Sequence, residues 1–356
     1  MHKGMAKLWT LVGVLALTTG TLVASETQEG AWEIGPRTLP VSVDVSDVMR
    51  ESLLKTPAPD VETAKKSTPQ TREQWEGWIS KRDAQATAVA QALATELAVT
   101  VEHTRIDRVN VYRVTPAEID PKHKNPLFIY LHGGAFVLNG GEAGTTEAVL
   151  IADRAKMPVL SIDYRMPPEH PSPAAIHDVV TVWKHLLKDR PSTSLALGGS
   201  SAGGGLTMAS VHRLKELKLD LPGALYLGTP GADVNKIGDS RYINEGIDRI
   251  LVSWDGVPYE ALSMYAGDYN DKHPYVSPIY GDFEGFPPSY LISGTRDLLL
   301  SDTVRAHRKL RNAGVDAALH VYEGQSHGDY ALVSNAPESH EHYGELNAFL
   351  LKHLQR

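Results

Sequence analysis

From about residue 109 onward the chain alternates short apolar runs with helix-like segments, and this alternation limits its fold more than any other feature. Apolar runs of strand length cover residues 109–114, 127–131, 159–163, 195–198, 224–227, 290–293 and 318–322. Segments with helical spacing cover residues 146–156, 174–188, 202–216, 302–313 and 340–353. Several of the strand runs are apolar throughout, which is typical of strands covered on both faces. The pattern predicts an α/β fold with a mostly parallel central sheet flanked by helices.

Two parts of the chain depart from this alternation. Residues 71–97 carry apolar side chains at helical spacing, whereas the preceding stretch up to about residue 58 is Pro-rich and irregular. Residues 229–288 contain no clear strand, and so long an excursion usually forms helices of its own or a lid. We expect residues 26–98 to be an N-terminal extension with cap helices. Residues 99–356 should form the main domain, with a cap insertion at about 230–288.

The first residues have the composition of a signal peptide. Lys3 and Lys7 give a basic start, and residues 8–17 are apolar but too short to span a membrane comfortably. Small residues then precede the expected cleavage site between Ser25 and Glu26. We therefore expect an exported protein, periplasmic or secreted, with no stable membrane span in its mature form. An uncleaved N-terminal anchor is the alternative.

Composition excludes several classes of protein. The 356 residues are 42% hydrophobic and 22% charged, which is enough apolar material for a large core. A formal net charge of −8 argues against a nucleic-acid partner, which would require a basic face. The chain has no cysteine, so disulfides, thiolate metal sites and a cysteine nucleophile are excluded.

The segment Gly199-Ser200-Ser201-Ala202-Gly203 follows one predicted strand directly and precedes a predicted helix. A serine among small residues at such a turn is typical of a nucleophile elbow, because the sharp turn leaves no room for larger side chains. The helix that begins at Ala202 directs its free N–H groups and its positive end toward the serine. The pattern favours Ser201 as a nucleophile, although the pentapeptide alone fits a plain helix N-cap equally well.

A nucleophilic serine needs donors for an oxyanion, and the loop after the predicted strand 127–131 offers them. Gly133 and Gly134 leave their backbone N–H groups open to a substrate, because glycine has no side chain in the way. With the N–H of Ala202 they are predicted to form an oxyanion hole. A plain glycine turn is the alternative. His132 is expected to brace this loop rather than to act as a base.

A base and a group that orients it follow two later strands. Asp297 comes shortly after the predicted strand 290–293, and His327 lies in a loop of small residues after the strand 318–322. We predict that Asp297 orients the imidazole of His327, which acts on the serine. Asp302 is the alternative acid, but its position predicts a helix N-terminal residue, where a carboxylate is favoured in any case.

Ordered motifs along the chain resemble a known family. They are HGGAF at 132–136, DYRMPPEHP at 163–171, GSSAGG at 199–204, YVSP at 275–278 and SHG at 326–328. Together with Asp297, they are similar to those of the bacterial hormone-sensitive-lipase family of α/β-hydrolases. The order Ser201, Asp297, His327 along the chain is also the one expected of that fold.

The resemblance implies an esterase with a helical cap, a catalytic triad of Ser201, Asp297 and His327, and an oxyanion loop at Gly133 and Gly134. It also implies that residues 163–171 brace the structure. The sequence departs from the family pattern at Ala135, where a third glycine is usual, and at Ser200, where Asp or Thr is usual. Leu298 stands where proline is often found. None of these changes removes a catalytic group.

These observations predict a serine carboxylesterase that hydrolyses short- to medium-chain or aryl carboxylic esters through an acyl-enzyme intermediate. The expected partner is a small-molecule ester, and no metal or organic cofactor is expected. A lactonase, an amidase or a carbamate hydrolase would use the same triad. A non-catalytic binding protein on the same fold is the remaining alternative, and the presence of His327 argues against it. The oligomeric state is left open, with a homodimer as one candidate.

Overall fold

The computed structural model describes residues 31–355 apart from residues 33 and 37. The predicted signal peptide and its cleavage site lie outside the described residues. The chain separates into two compact units, residues 1–40 and residues 41–356. Every helix and strand of the described part lies in the second unit.

The second unit is built on one sheet of eight strands in the order β1-β2-β4-β3-β5-β6-β7-β8. The strands are β1 Thr100–Ile106, β2 Val109–Thr115, β3 Leu127–Leu131, β4 Val159–Asp163, β5 Leu195–Ser200, β6 Ala224–Gly228, β7 Ser289–Gly294 and β8 Ala317–Tyr322. β2 pairs antiparallel with both β1 and β4, and all the other pairs are parallel. The predicted mostly parallel sheet is therefore confirmed.

Strand β1 has no counterpart among the predicted strands, and its omission is an error of the sequence-based prediction. Its sequence, TVEHTRI, alternates poorly, and most of its residues are exposed or half-buried at the edge of the sheet. A continuous apolar run is expected only of strands covered on both faces, and both faces of β1 are largely open. Its pairing with β2 through a tight turn at Asp107, where φ is 52°, fixes it instead.

The helices in chain order are α1 Asp47–Lys55, α2 Val61–Lys66, α3 Arg72–Glu96, α4 Thr146–Ala155, α5 Ala174–Leu186, α6 Ala202–Glu216, α7 Ser240–Ile243, α8 Val257–Ala266, α9 Leu300–Asn312, α10 Asp329–Leu332 and α11 Pro337–His353. Helix α1 contradicts the expectation that the chain is irregular up to residue 58. Its cap residue Ser46 accepts from Met49 N and donates from both its backbone and its hydroxyl to Glu338 in α11. That long-range anchor cannot be read from local sequence.

Helices cover both faces of the sheet. Leu197 of β5 belongs to a core that includes Val179 of α5 and Leu206 of α6. Its neighbour Ala196 points to the opposite face, into a core that includes residues of α4 and α11. Successive strand residues point to opposite faces, so the apolar strands predicted from sequence are buried on both sides.

Helices α3 and α8 pack together over the loop that follows β3. A small core joins Trp75 of α3, Ala261 of α8 and Val137 of that loop. Helix α3 begins with a capping box, in which Thr71 and Gln74 satisfy each other's backbone N–H groups. Within the described part of the chain, no helix is both long and apolar enough to cross a bilayer.

Candidate active site

Ser201 occupies a sharp turn between strand and helix. β5 ends at Ser200 and α6 begins at Ala202, which leaves Ser201 with φ 58° and ψ −121°. A non-glycine residue rarely adopts such a backbone conformation, and its strain is tolerated mainly at functional sites. The turn is held from the next strand, because Ser201 N donates to Gly228 O at 2.8 Å. This is the geometry of a nucleophile elbow.

The glycines on either side of Ser201 are required by the close approach of β3. A Cβ atom at Gly199 would lie 1.8 Å from Leu131 O, and one at Gly203 would lie 1.9 Å from the same oxygen. No real side chain can occupy either position without moving the strand. This contact is the physical reason why small residues are needed at these positions, as the sequence predicts.

The loop after β3 reaches the elbow. A Cβ atom at Gly133 would lie 2.9 Å from Ser200 O and 3.3 Å from Ser201 Cβ. Gly134 has φ 115°, a conformation that glycine adopts without strain. Ala202 opens α6, so its N–H is one of the unpaired donors at a positive helix end. Gly133 and Ala202 therefore lie next to Ser201, and Gly134 follows Gly133 in the same loop.

Asp297 and His327 are hydrogen-bonded to each other. His327 Nδ1 lies 3.0 Å from Asp297 Oδ1, and both side chains are buried. Asp297 follows β7 and His327 follows β8, as predicted. The Asp297 carboxylate also accepts from Ser293 Oγ at 2.8 Å and from Leu299 N at 2.7 Å. These donors fix the carboxylate and, through it, the imidazole ring.

The charges of this pair set the pKa values of both groups. Burial alone would lower the pKa of His327, but the neighbouring Asp297 carboxylate outweighs it and the pKa is raised. Burial alone would raise the pKa of Asp297, yet the pKa is lowered by the imidazole and by the hydrogen bonds to the carboxylate. An acid held ionised beside an imidazole is the arrangement that stabilises an imidazolium ion.

Thr229 connects this pair to the elbow. Its hydroxyl donates to the Asp297 carboxylate and lies 3.1 Å from His327 Nδ1. Thr229 directly follows Gly228, the residue whose carbonyl holds Ser201 N. Sequence reasoning missed Thr229, although it follows a predicted strand just as the other site residues do.

Asp302, the alternative acid, and His132, which was not expected to be the base, have other partners. Asp302 forms a fully buried ion pair with Arg241 at 2.7 Å and accepts from the backbone N–H groups of Ala232 and Asp233. His132 bonds through Nδ1 to Gly133 O at 2.8 Å and stacks on Tyr164 with ring centroids 4.2 Å apart. Burial lowers the pKa of His132, which favours a neutral ring.

A further buried acid, Asp248, lies next to the loop that carries Asp297. It accepts from Leu298 N at 2.9 Å and from Ile250 N at 2.9 Å. Burial and the charge of Asp297 raise the pKa of Asp248 to about 6. The charge of Asp248 in turn helps to raise the pKa of His327. Nothing in the sequence distinguishes Asp248 from the many surface acids of the insertion.

Another buried acid, Glu147 of α4, lies beneath the elbow. It accepts hydrogen bonds from Ser200 Oγ at 2.8 Å, Tyr130 OH at 2.8 Å and Tyr226 OH at 2.7 Å. Ser200 Oγ also lies 3.0 Å from the hydroxyl of Tyr330, three residues after His327. The hydroxyl of Ser200 thus takes part in a buried hydrogen-bond network, whereas Ser201 occupies the elbow. Glu147 was overlooked because an acid in the first turn of a helix needs no special explanation.

Several aromatic residues of α3 and of the 230–288 insertion take part in packing. Trp75 fills the small core between α3 and α8, and Trp254 is buried against the guanidinium of Arg241 at 3.6 Å. Tyr265 stacks on Phe136 of the loop after β3, with ring centroids 3.6 Å apart. Tyr259 is half exposed. Within the described residues no three or more His, Asp or Glu side chains are arranged to hold a metal ion.

Comparison with known proteins identifies the family. A family model described as alpha/beta hydrolase fold matches residues 128–331, more than half of the chain. The chain therefore belongs to the α/β-hydrolase fold family.

Its relatives narrow this assignment. A crystal structure of an esterase, E25, is 55% identical, covers 92% of this chain and 100% of its own, and has a TM-score of 0.90. An esterase of Acinetobacter venetianus is 30% identical over 227 residues, which are 63% of this chain and 74% of that protein. A crystal structure described as an esterase from the bacterial hormone-sensitive lipase family is 27% identical, covers 77% and 99% of the two chains, and has a TM-score of 0.67. The predicted membership of the bacterial hormone-sensitive-lipase family is confirmed.

Proposed function

We propose that this protein is a serine carboxylesterase in which Ser201 is the nucleophile, His327 the general base and Asp297 the group that orients the base. The observation that supports it most is the connection of the buried His327–Asp297 pair to the strained Ser201 turn through Thr229. Family membership and esterase relatives support the reaction class.

The reaction proceeds in two steps. His327 takes the proton of Ser201 as its oxygen attacks the ester carbonyl, and Asp297 stabilises the imidazolium that results. The N–H groups of Gly133, Gly134 and Ala202 bind the oxyanion, and the alcohol leaves with the proton from His327. Water activated by the same imidazole then releases the acid and restores the serine. Loss of one oxyanion donor typically lowers turnover by roughly 10²–10³-fold.

We propose that α3 and the 230–288 insertion form a cap over the site and that the substrate is a short- to medium-chain or aryl carboxylic ester. The packing of α3 against α8 of the insertion and against the loop after β3 supports the cap. The esterase relatives support an ester substrate, and the resemblance to the bacterial hormone-sensitive-lipase family favours short- to medium-chain acyl groups over long-chain triglycerides.

The substitution Ser201→Ala tests the function. We expect it to abolish hydrolysis of p-nitrophenyl esters with acyl chains of about two to twelve carbons, because the nucleophile is lost, while circular dichroism and the unfolding temperature stay unchanged. Wild-type activity should fall with long acyl chains. A phosphonate ester that labels active serines should modify Ser201 in the wild type, as read by peptide mass spectrometry, and leave the variant unmodified.

Two results would contradict the proposal. Full turnover by Ser201→Ala would remove the serine from the mechanism. A lactone or an amide hydrolysed much faster than every ester would instead reassign the substrate class while keeping the triad.

A further inference from the structure

We propose that Asp83, on helix α3 outside the catalytic sheet, is a positioning residue that orients the Gly133–Gly134 peptide of the oxyanion hole. The inference rests on the proposed function, because it assumes that the N–H of Gly134 binds the oxyanion. It goes further in making the N-terminal helix part of the catalytic machinery.

Asp83 holds the end of the oxyanion loop. Its Oδ1 accepts from Asn139 N at 2.7 Å and its Oδ2 lies 3.3 Å from Gly140 N, which donates to it. The next N–H, that of Gly141, is bound by Asp163 at 2.9 Å. Two carboxylates from different parts of the chain therefore fix three consecutive backbone donors. Hydrogen bonds to an ionised carboxylate are among the stronger ones in proteins.

Asn139 carries this restraint back to the active site. Its φ is 69°, so the residue is held in the left-handed region, which asparagine tolerates better than most residues. From that position its side-chain Nδ2 donates to Gly133 O at 3.1 Å. The same oxygen lies 2.8 Å from His132 Nδ1. The carbonyl of Gly133 is thus fixed by two donors.

A fixed carbonyl fixes the N–H on the other side of the same peptide. In a planar trans peptide the C=O and the N–H point in opposite directions. Because Asn139 and His132 hold Gly133 O, the N–H of Gly134 must point away from them. The preceding peptide, between His132 and Gly133, is held in the same way. Tyr164 OH donates to His132 O at 2.6 Å and so orients the N–H of Gly133.

The loop needs such anchors because its backbone is strained. Ala135, Phe136 and Asn139 have φ of 52°, 62° and 69°, and none of them is glycine. Left-handed conformations of non-glycine residues are costly and persist only where the surroundings enforce them. Asp83 supplies part of that enforcement from α3.

The test compares substitutions at both ends of the chain of contacts. Asp83→Ala removes the carboxylate. Asp83→Asn keeps one acceptor but turns an NH₂ group toward the other backbone donor. Asn139→Gly removes only the side-chain donor, because glycine accepts a positive φ. The control is Glu73→Ala, which removes an exposed acid from the same helix. The readouts are kcat and KM for p-nitrophenyl butyrate, the inhibition constant of a trifluoromethyl ketone that forms a tetrahedral adduct, and the unfolding temperature.

We expect Asp83→Ala and Asn139→Gly each to lower kcat by about 10- to 100-fold, below the loss of a whole oxyanion donor. KM should change by less than about twofold, because the interaction is made chiefly in the transition state. The trifluoromethyl ketone should bind more weakly by a similar factor. The kcat of the double variant should be no lower than that of the less active single variant, because both substitutions act through the carbonyl of Gly133. Asp83→Asn should lie between the wild type and Asp83→Ala, and Glu73→Ala should match the wild type.

Unchanged kcat in Asp83→Ala and Asn139→Gly would overturn the inference, and so would effects that multiply in the double variant. A change confined to KM or to the unfolding temperature would assign Asp83 to helix docking alone. If Asp83→Ala does not fold, Asp83→Asn and Asn139→Gly carry the test. Absence of esterase activity in the wild type, measured against Ser201→Ala as the blank, would refute the proposed function instead.

Discussion

The individual side chains of the site owe their chemistry to burial and to their neighbours. Asp297 alone would resist ionisation in the interior, but His327, Ser293 and Thr229 stabilise its charge. His327 in turn is surrounded by negative charge from Asp297 and Asp248. The residue types were identifiable from sequence. Their partners Thr229 and Asp248 were not, because neither belongs to a motif.

The pH dependence of activity should follow His327. Its neutral imidazole is the base, so activity falls as the pH drops through its pKa. Because that pKa is raised, we expect the acid limb of the kcat/KM profile to have its midpoint above 6.5, the ordinary value. The contribution of His327 to folding stability depends on pH in the opposite direction. Because its pKa is higher in the folded protein than in the unfolded chain, this contribution is fully present below the unfolded-state pKa and is lost as the pH rises through the folded-state pKa.

The substitution Asp248→Asn provides the matched test of this expectation. It removes one of the carboxylates that raise the pKa of His327, and the acid limb should move to lower pH. The other carboxylates facing His327 are those of Asp297 and Asp329, and Asp329 is paired with Arg249 at 2.7 Å. A limb that stays in place, or moves to higher pH, would show that Asp248 does not act on the imidazole.

At the level of elements, the site lies where the strands end. The loops after β3, β5, β7 and β8 supply its residues, and neighbouring parallel strands bring their carboxyl ends to one edge of the sheet. The position of each predicted site residue after a strand is therefore what allowed sequence to identify it. The predictions that failed concern β1 and α1, which are held by pairing and by a long-range cap rather than by local pattern.

Packing between elements makes the elbow glycines irreplaceable. We expect Gly199→Ala and Gly203→Ala to destabilise the protein by about 3 kcal/mol or more, since each new Cβ would collide with Leu131 O in β3. Urea unfolding of the purified variants measures this effect. The matched control is Gly344→Ala in the exposed part of α11, where a Cβ atom meets nothing within 4 Å. It should raise stability by about 0.5–1 kcal/mol.

Equal stability of the elbow variants and the control would contradict the contact between the elbow and β3. Loss of activity alone would be uninformative here, because any shift of Ser201 would also affect turnover. The unfolding free energy is therefore the decisive quantity.

For the whole molecule, we propose export followed by removal of the first 25 residues. In a bacterial host with an intact secretion pathway, the protein should accumulate outside the cytoplasm with an N-terminus at Glu26. Intact-mass measurement and N-terminal sequencing check this. Replacing Leu11 and Leu15 in the apolar stretch by aspartate should retain the full-length chain in the cytoplasm. Processing that is unaffected by these charges would refute the proposed signal peptide.

The sequence by itself determined the fold class, the family and the order Ser201, Asp297, His327, because strand periodicity and turn chemistry are local properties of the chain. Only the tertiary structure decided which groups serve those residues. Asp83, Glu147 and Asp248 are ordinary acids on helices or in a long insertion, and nothing near them in sequence marks them. Their roles arise because folding brings their carboxylates into hydrogen bonds with backbone N–H groups and hydroxyls that lie far away along the chain.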